Sequence, residues 1–198
     1  MPLGAFKAAL MGTAGVTTGD VVLLHDTDYS NAATASISSG IDSTYGEYIF
    51  KFYNINPATD DVRFTFQVNA TDDAGGGYDT SLITSTTFNA SLSEDDANAS
   101  VGYHTEFDQA QGSGFQAMIH KQGNGADESC AGIMHLFNPA STTYVKHFYI
   151  RVHGYFSADR AVDHFTAGYI NDTTAIDEVQ FKMTSGNFDG VIQLFGIA

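Results

Sequence analysis

Between Val62 and Asn69 the chain reads Val-Arg-Phe-Thr-Phe-Gln-Val-Asn, which puts Val62, Phe64, Phe66 and Val68 on one side of an extended strand and Arg63, Thr65, Gln67 and Asn69 on the other. A helix, repeating every 3.6 residues, cannot gather those four apolar residues on one face. The stretch is expected to be a half-buried strand with its polar residues in water. Just upstream, Glu47–Ile55 carries large residues on both faces, Tyr48, Ile49, Phe50, Phe52 and Tyr53, as a strand covered on two sides does. Asn56-Pro57 and Asp60-Asp61 lie between them and supply turn chemistry. The two segments are therefore expected to pair antiparallel.

The same alternation predicts strands at Val21–His25, Thr34–Ile41, Ser81–Asn89, Ser129–Phe137, Tyr144–Tyr155, Phe165–Asn171, Ile176–Met183 and Val191–Ile197. Turn residues bound each of them. No alternation of strands with helical patterns and no heptad repeat occurs, which disfavours α/β folds and coiled coils. The expected fold is all-β: a two-sheet antiparallel β-sandwich, jelly-roll-like, with an N-terminal arm. Residues 94–125 resist assignment, since Phe107, Phe115, Met118 and Ile119 suit a strand pair or a short helix while Gly112, Gly114, Gly123 and Gly125 mark loops.

A chain of 198 residues with 43% hydrophobic and 16% charged residues has enough apolar matter for one domain and buries about 70% of its unfolded surface. No metal or disulfide is required to hold such a core, and Cys130, the single cysteine, allows no intrachain disulfide. The domain is expected over 21–198, preceded by an arm over 1–20. Within the arm, Lys7 follows the start of the apolar run and Gly4, Gly12 and Gly15 interrupt it, which argues against a cleaved secretory signal. A short helical turn over Ala5–Met11 would line up Leu3, Phe6 and Leu10, with Met11 beside them, as an assembly contact.

Eight Lys and Arg against 23 Asp and Glu give a net charge of −15, a field that repels nucleic acid and anionic membrane surfaces. No stretch approaches the length of a membrane helix. The seven histidines, His25, His104, His120, His135, His147, His153 and His164, include no pair at zinc-ligand spacing. His147 and His153 share a strand face but stand about 20 Å apart. Asp26-x-Asp28-x-Ser30 starts like a calcium loop, yet Asn31 and Ile37 stand where Gly and Glu are needed. No cofactor is expected, and loop-bound calcium held by carboxylates and carbonyls stays open.

Hydrolase elbows, zincin helices, phosphate loops and dinucleotide turns are all missing, so no catalytic residue is assigned and an enzyme is not expected. Paired carboxylates for glycoside cleavage are a three-dimensional property that one sequence does not disclose. Asn69, Asn89, Asn98 and Asn171 open glycosylation patterns that chance explains in so Asn-, Ser- and Thr-rich a chain. With ten Tyr and no Trp, any ligand-facing ring falls to Tyr29, Tyr45, Tyr78 and Tyr103 in loops or at strand ends; packing at a rim or an oligomer interface is their commoner role. Tyr48–Tyr53 and His147–Val152 carry more apolar area than one core absorbs, which argues for contact between subunits.

Three strings, Gly4–Gly12, Ile41–Phe50 followed by Ile55–Asp60, and Thr184–Ile197, resemble uncharacterised virion structural proteins of tailed bacteriophages, aquatic ones in particular. The resemblance touches both ends and the middle of the chain. It implies a multimeric β-sandwich component of the phage particle without enzymatic activity. The expected role is a homo-oligomeric, trimeric capsid decoration or cement protein, anchored to other virion proteins by its N-terminal arm. A tail or appendage fibre subunit, or a module binding a cell-surface glycan or receptor, is the alternative.

Overall fold

An extended chain leaves one backbone donor or acceptor row on each side, so strands this numerous must find neighbours or present edges. The computed structural model describes residues 21–72, 78 and 80–197. Over them the chain is all-β, and every strand pairing is antiparallel. The strands are β1 (Val21–Ala32), β2 (Ala35–Ile37), β3 (Glu47–Pro57), β4 (Val62–Ala70), β5 (Ile83–Ser93), β6 (Ala99–Tyr103), β7 (Ala110–Gly112), β8 (Gln116–Gln122), β9 (Cys130–Phe137), β10 (Lys146–Phe156), β11 (Arg160–Ile170), β12 (Ile176–Met183) and β13 (Phe188–Ile197). A 3-10 turn, Thr105–Phe107, interrupts the run between β6 and β7.

Hydrogen bonding orders them β1-β13-β3-β9-β10-β8-β4-β12-β2, with β11, β5, β6 and β7 continuing from β10 on a separate branch. β10 meets β9 and β11 along long ladders but reaches β8 only where Phe156 faces Gln122. The two ends of the order, β1 and β2, follow each other in the chain, and the sheet curls nearly shut in barrel-like form.

The core lies where β3 and β10 face β4 and β12. Phe50 and Phe52 meet Phe181 at 5.3 and 5.1 Å, Phe52 meets Phe64 at 5.4 Å, and Phe66 meets Phe148 at 5.1 Å, all edge to face. Each ring contributes about 1.5–3 kcal/mol through burial, and such edge contacts add about 0.5–1.5 kcal/mol per pair.

Four expectations need correcting. Glu47–Ile55 and Val62–Asn69 do not pair: β3 is bonded to β13 and β9, β4 to β12 and β8, and the connection between them carries the chain across the core. Of the polar face of β4 only Arg63 is in water. Thr65, Gln67 and Asn69 are buried, with Thr65 Oγ1 donating to the Lys182 carbonyl at 2.8 Å and the Gln67 amide donating to the Ser113 carbonyl at 3.0 Å. Conversely, the second face of β3 is not fully covered: Tyr48, Phe50 and Phe52 are buried, Ile49 and Lys51 half-buried, and Tyr53 exposed. Thr34–Ile41 shortens to β2, and residues 94–125 resolve into β6, the 3-10 turn, β7 and β8.

Candidate assembly surface

Because side chains alternate across a strand, burying Tyr48, Phe50 and Phe52 inward turns Ile49, Lys51 and Tyr53 outward. The strand pairings extend that outward face sideways. Leu23, Phe195, Ile49, His135, Tyr149 and Ala167 are successive partners across β1, β13, β3, β9, β10 and β11. The neighbouring row runs Asp26, Gln193, Lys51, Ile133, Arg151, Phe165, Phe88 and Tyr103, ending on β6. Leu23 is 49% exposed, Tyr149 43%, Tyr103 59% and Val101, further along β6, 79%. The first row is apolar and aromatic and the second mixes rings with Asp26, Gln193, Lys51 and Arg151, a more aromatic face than the polar one that usually covers an exposed sheet surface.

The rings on it are held in order. His135 stacks on Tyr149 at 4.2 Å and its Nδ1 meets Glu47 Oε1 at 2.5 Å. Phe88 and Phe165 lie parallel, 4.9 Å apart at 4°. The Arg151 guanidinium sits 4.9 Å over Phe165 while Nε and Nη2 donate to the Asp163 carboxylate at 3.2 and 2.7 Å. Lys51 Nζ stands 4.7 Å over Phe195. Each cation is therefore matched to a ring, and Arg151 to a carboxylate as well, which lowers the cost of drying the face. Aromatic anchors and arginine are what protein interfaces concentrate at their centres.

A second grouping lies inside the fold. His104 Nε2 donates to Asn89 Oδ1 at 2.9 Å, the Asn89 amide donates to His164 Nε2 at 3.2 Å, and His120 Nδ1 bonds the same His164 nitrogen. Phe107 packs on His120 at 4.5 Å, and Arg63 lies 4.7 Å over Phe107. Burial, reinforced by the neighbouring imidazoles, pulls His120 down to about 4 and His164 to about 3. These rings bond one another and Asn89, and among the described residues no group of three or more His, Cys, Asp or Glu is arranged to hold a metal ion. No closely spaced pair in the sequence announces this cluster, because its members come from β8, β11 and the turn after β6. Its one sequence signal is that His120 and His164 occupy inward positions of their strands.

The four tyrosines fall into separate surroundings. Tyr29 lies on β1, half-buried, its ring 6.0 Å from Phe188 and its hydroxyl bonded to His25 Nε2 at 3.3 Å; burial raises its pKa. Tyr45 packs edge-on against Tyr48 at 5.8 Å, beneath Gly196, where a Cβ would collide with its ring. Tyr78 donates to Glu178 Oε2 at 2.6 Å, and burial together with that carboxylate pushes its pKa up. Tyr103 donates to Asp108, accepts from Thr86 Oγ1 at 3.3 Å, and alone of the four belongs to the outward aromatic row. Leu3, Phe6, Leu10 and Met11 lie outside the described residues. Compared with known proteins, the chain matches no family model and no curated protein.

Proposed function

We propose that the chain is a non-enzymatic structural subunit that assembles with copies of itself, as a trimer, through the outward face of β1, β13, β3, β9 and β10, and that it serves as a decoration or cement protein of a phage capsid. The observation that carries this reading is the lateral row Leu23, Phe195, Ile49, His135 and Tyr149, exposed at Leu23 and Tyr149 and half-buried between them, with the residue types of an interface core. A self-contact of about 1,600 Å² would bury it. The virion setting rests on the resemblance of the strings quoted above, and the arm over 1–20 then serves as the link to other virion proteins.

The jelly-roll sandwich belongs to the same proposal. Setting aside β5–β7 and β10–β11 as insertions leaves β1-β13-β3-β9 and β2-β12-β4-β8, two four-strand runs in the interleaved order that two Greek keys produce. The phenylalanines that meet between these runs favour two facing layers.

Light scattering coupled to size exclusion tests the assembly. The full chain should elute at three times its 21.2 kDa mass, and Leu23→Glu with Tyr149→Glu should reduce it to one while keeping the thermal transition. A monomeric wild type, or a trimer indifferent to both changes, would overturn the reading.

A further inference from the structure

The geometry points to a second function, separate from assembly: the cleft between Gly46 and the loop joining β9 to β10 is a binding site for a neutral glycan. Its volume is about 870 Å³, inside the range of roughly 300–1,000 Å³ typical of small-molecule sites. Four rings line it, Tyr45, Phe137, Tyr144 and His147, and Ser141 and Thr143 add hydroxyls.

The lining is fixed before any ligand arrives. Asn138, at φ 45°, donates its N–H to the Gly46 carbonyl at 2.8 Å. Ser141 Oγ accepts the N–H groups of Thr143 and Tyr144 at 3.3 and 3.1 Å. The loop thus closes on itself, and the Tyr144 ring, 73% exposed, stands on a backbone that hydrogen bonds restrain. Tyr45, also in the lining, is wedged against Tyr48. A preformed site avoids the ordering cost that weakens binding to a mobile loop.

Charge selects the ligand class. The chain carries −15, yet no Asp, Glu, Lys or Arg is among the described residues that line this cleft. An anion would find no cation there, and a cation no carboxylate. Flat rings interspersed with hydroxyl and amide groups match a pyranose, whose C–H face packs on an aromatic ring while its hydroxyl edge exchanges hydrogen bonds. Of the four rings only Phe137 touches the assembly row, 5.7 Å from Tyr149 and 6.2 Å from His135; Tyr45, Tyr144 and His147 are not members of that row.

Saturation-transfer NMR on the full chain with lactose, maltotriose, chitotriose and 3′-sialyllactose tests the site. Signal transfer to at least one neutral sugar is expected, weakened about tenfold in affinity by Tyr144→Ala and unchanged by Tyr103→Ala, a comparably exposed ring elsewhere. Absence of transfer to all three neutral sugars would overturn the proposal. So would tighter binding of sialyllactose than of lactose, or wild-type binding by Tyr144→Ala with its fold intact.

Discussion

His164 is 2% exposed, and its Nε2 accepts from the Asn89 amide and lies against His120 Nδ1. Its folded pKa of about 3, and that of His120 near 4, both lie below the ordinary 6.5. Between those values and 6.5 the unfolded chain binds protons that the folded chain refuses, so stability is complete above about pH 6.5 and falls as the pH drops towards 3. Glu106, facing His104, opposes the effect, while Arg63 and Lys121 reinforce it. The urea midpoint should fall between pH 7 and pH 4.5, and His164→Gln should flatten that dependence; an equal slope in the variant would contradict the assignment. Lys146 is a second buried polar residue, its amine donating to the carbonyls of Asp172, at 2.9 Å, and Thr174. Lys146→Met should cost about 1–3 kcal/mol in denaturant unfolding, because two carbonyls lose their donor. Neither arrangement was legible beforehand: a histidine or lysine in an alternating string reads the same whether its partners are water or three distant segments.

At the scale of elements, alternation located most of the strands and failed to name their neighbours. Ile176–Met183 appears as expected, and Phe64, Phe66 and Val68 point inward as read. A period of two states which side of a strand is apolar, however, and says nothing about which strand lies beside it. Asn56-Pro57 and Asp60-Asp61 do turn the chain, with Asp61 at φ 57°, but the turn leads over the core instead of back along the same sheet. Phe52 and Phe64 consequently meet through their rings at 5.4 Å and share no backbone bonds. Phe52→Ala and Phe64→Ala should each cost about 3–5 kcal/mol. Their double-mutant cycle should return a coupling of about 0.5–1.5 kcal/mol, as expected for an edge-to-face pair. Zero coupling would mean the two strands do not face each other. The polar face of β4 escaped the reading for a related reason, since Ser81 and the loop at 113–114 that cover Gln67 are remote in sequence.

For the whole molecule, an acidic chain with an apolar contact face makes an unusual prediction about salt. Copies each carrying −15 repel at long range, and added salt screens that repulsion within about 10 Å at 0.1 M. Burial of the Leu23–Tyr149 row gains nothing from opposite charges on a partner. Sedimentation should therefore show tighter self-association in 0.5 M than in 0.02 M sodium chloride; association that weakens with salt would mean ion pairs carry it. Part of the outward face was readable from the ring-rich strings Tyr48–Tyr53 and His147–Val152, although Tyr48, Phe50 and Phe52 go to the core. The lateral row was not, because it draws one residue from each of six strands.

The pairing of β1 with β13 joins Val21 to Ile197, so among the described strands β1 has no hydrogen-bonded partner until β13 has been made. During translation, Leu23 and its neighbours must wait, exposed, for a segment still inside the ribosome. Long-range closure of this kind slows folding, and a nascent chain stalled before residue 188 would present the unsatisfied edges of both β1 and β3.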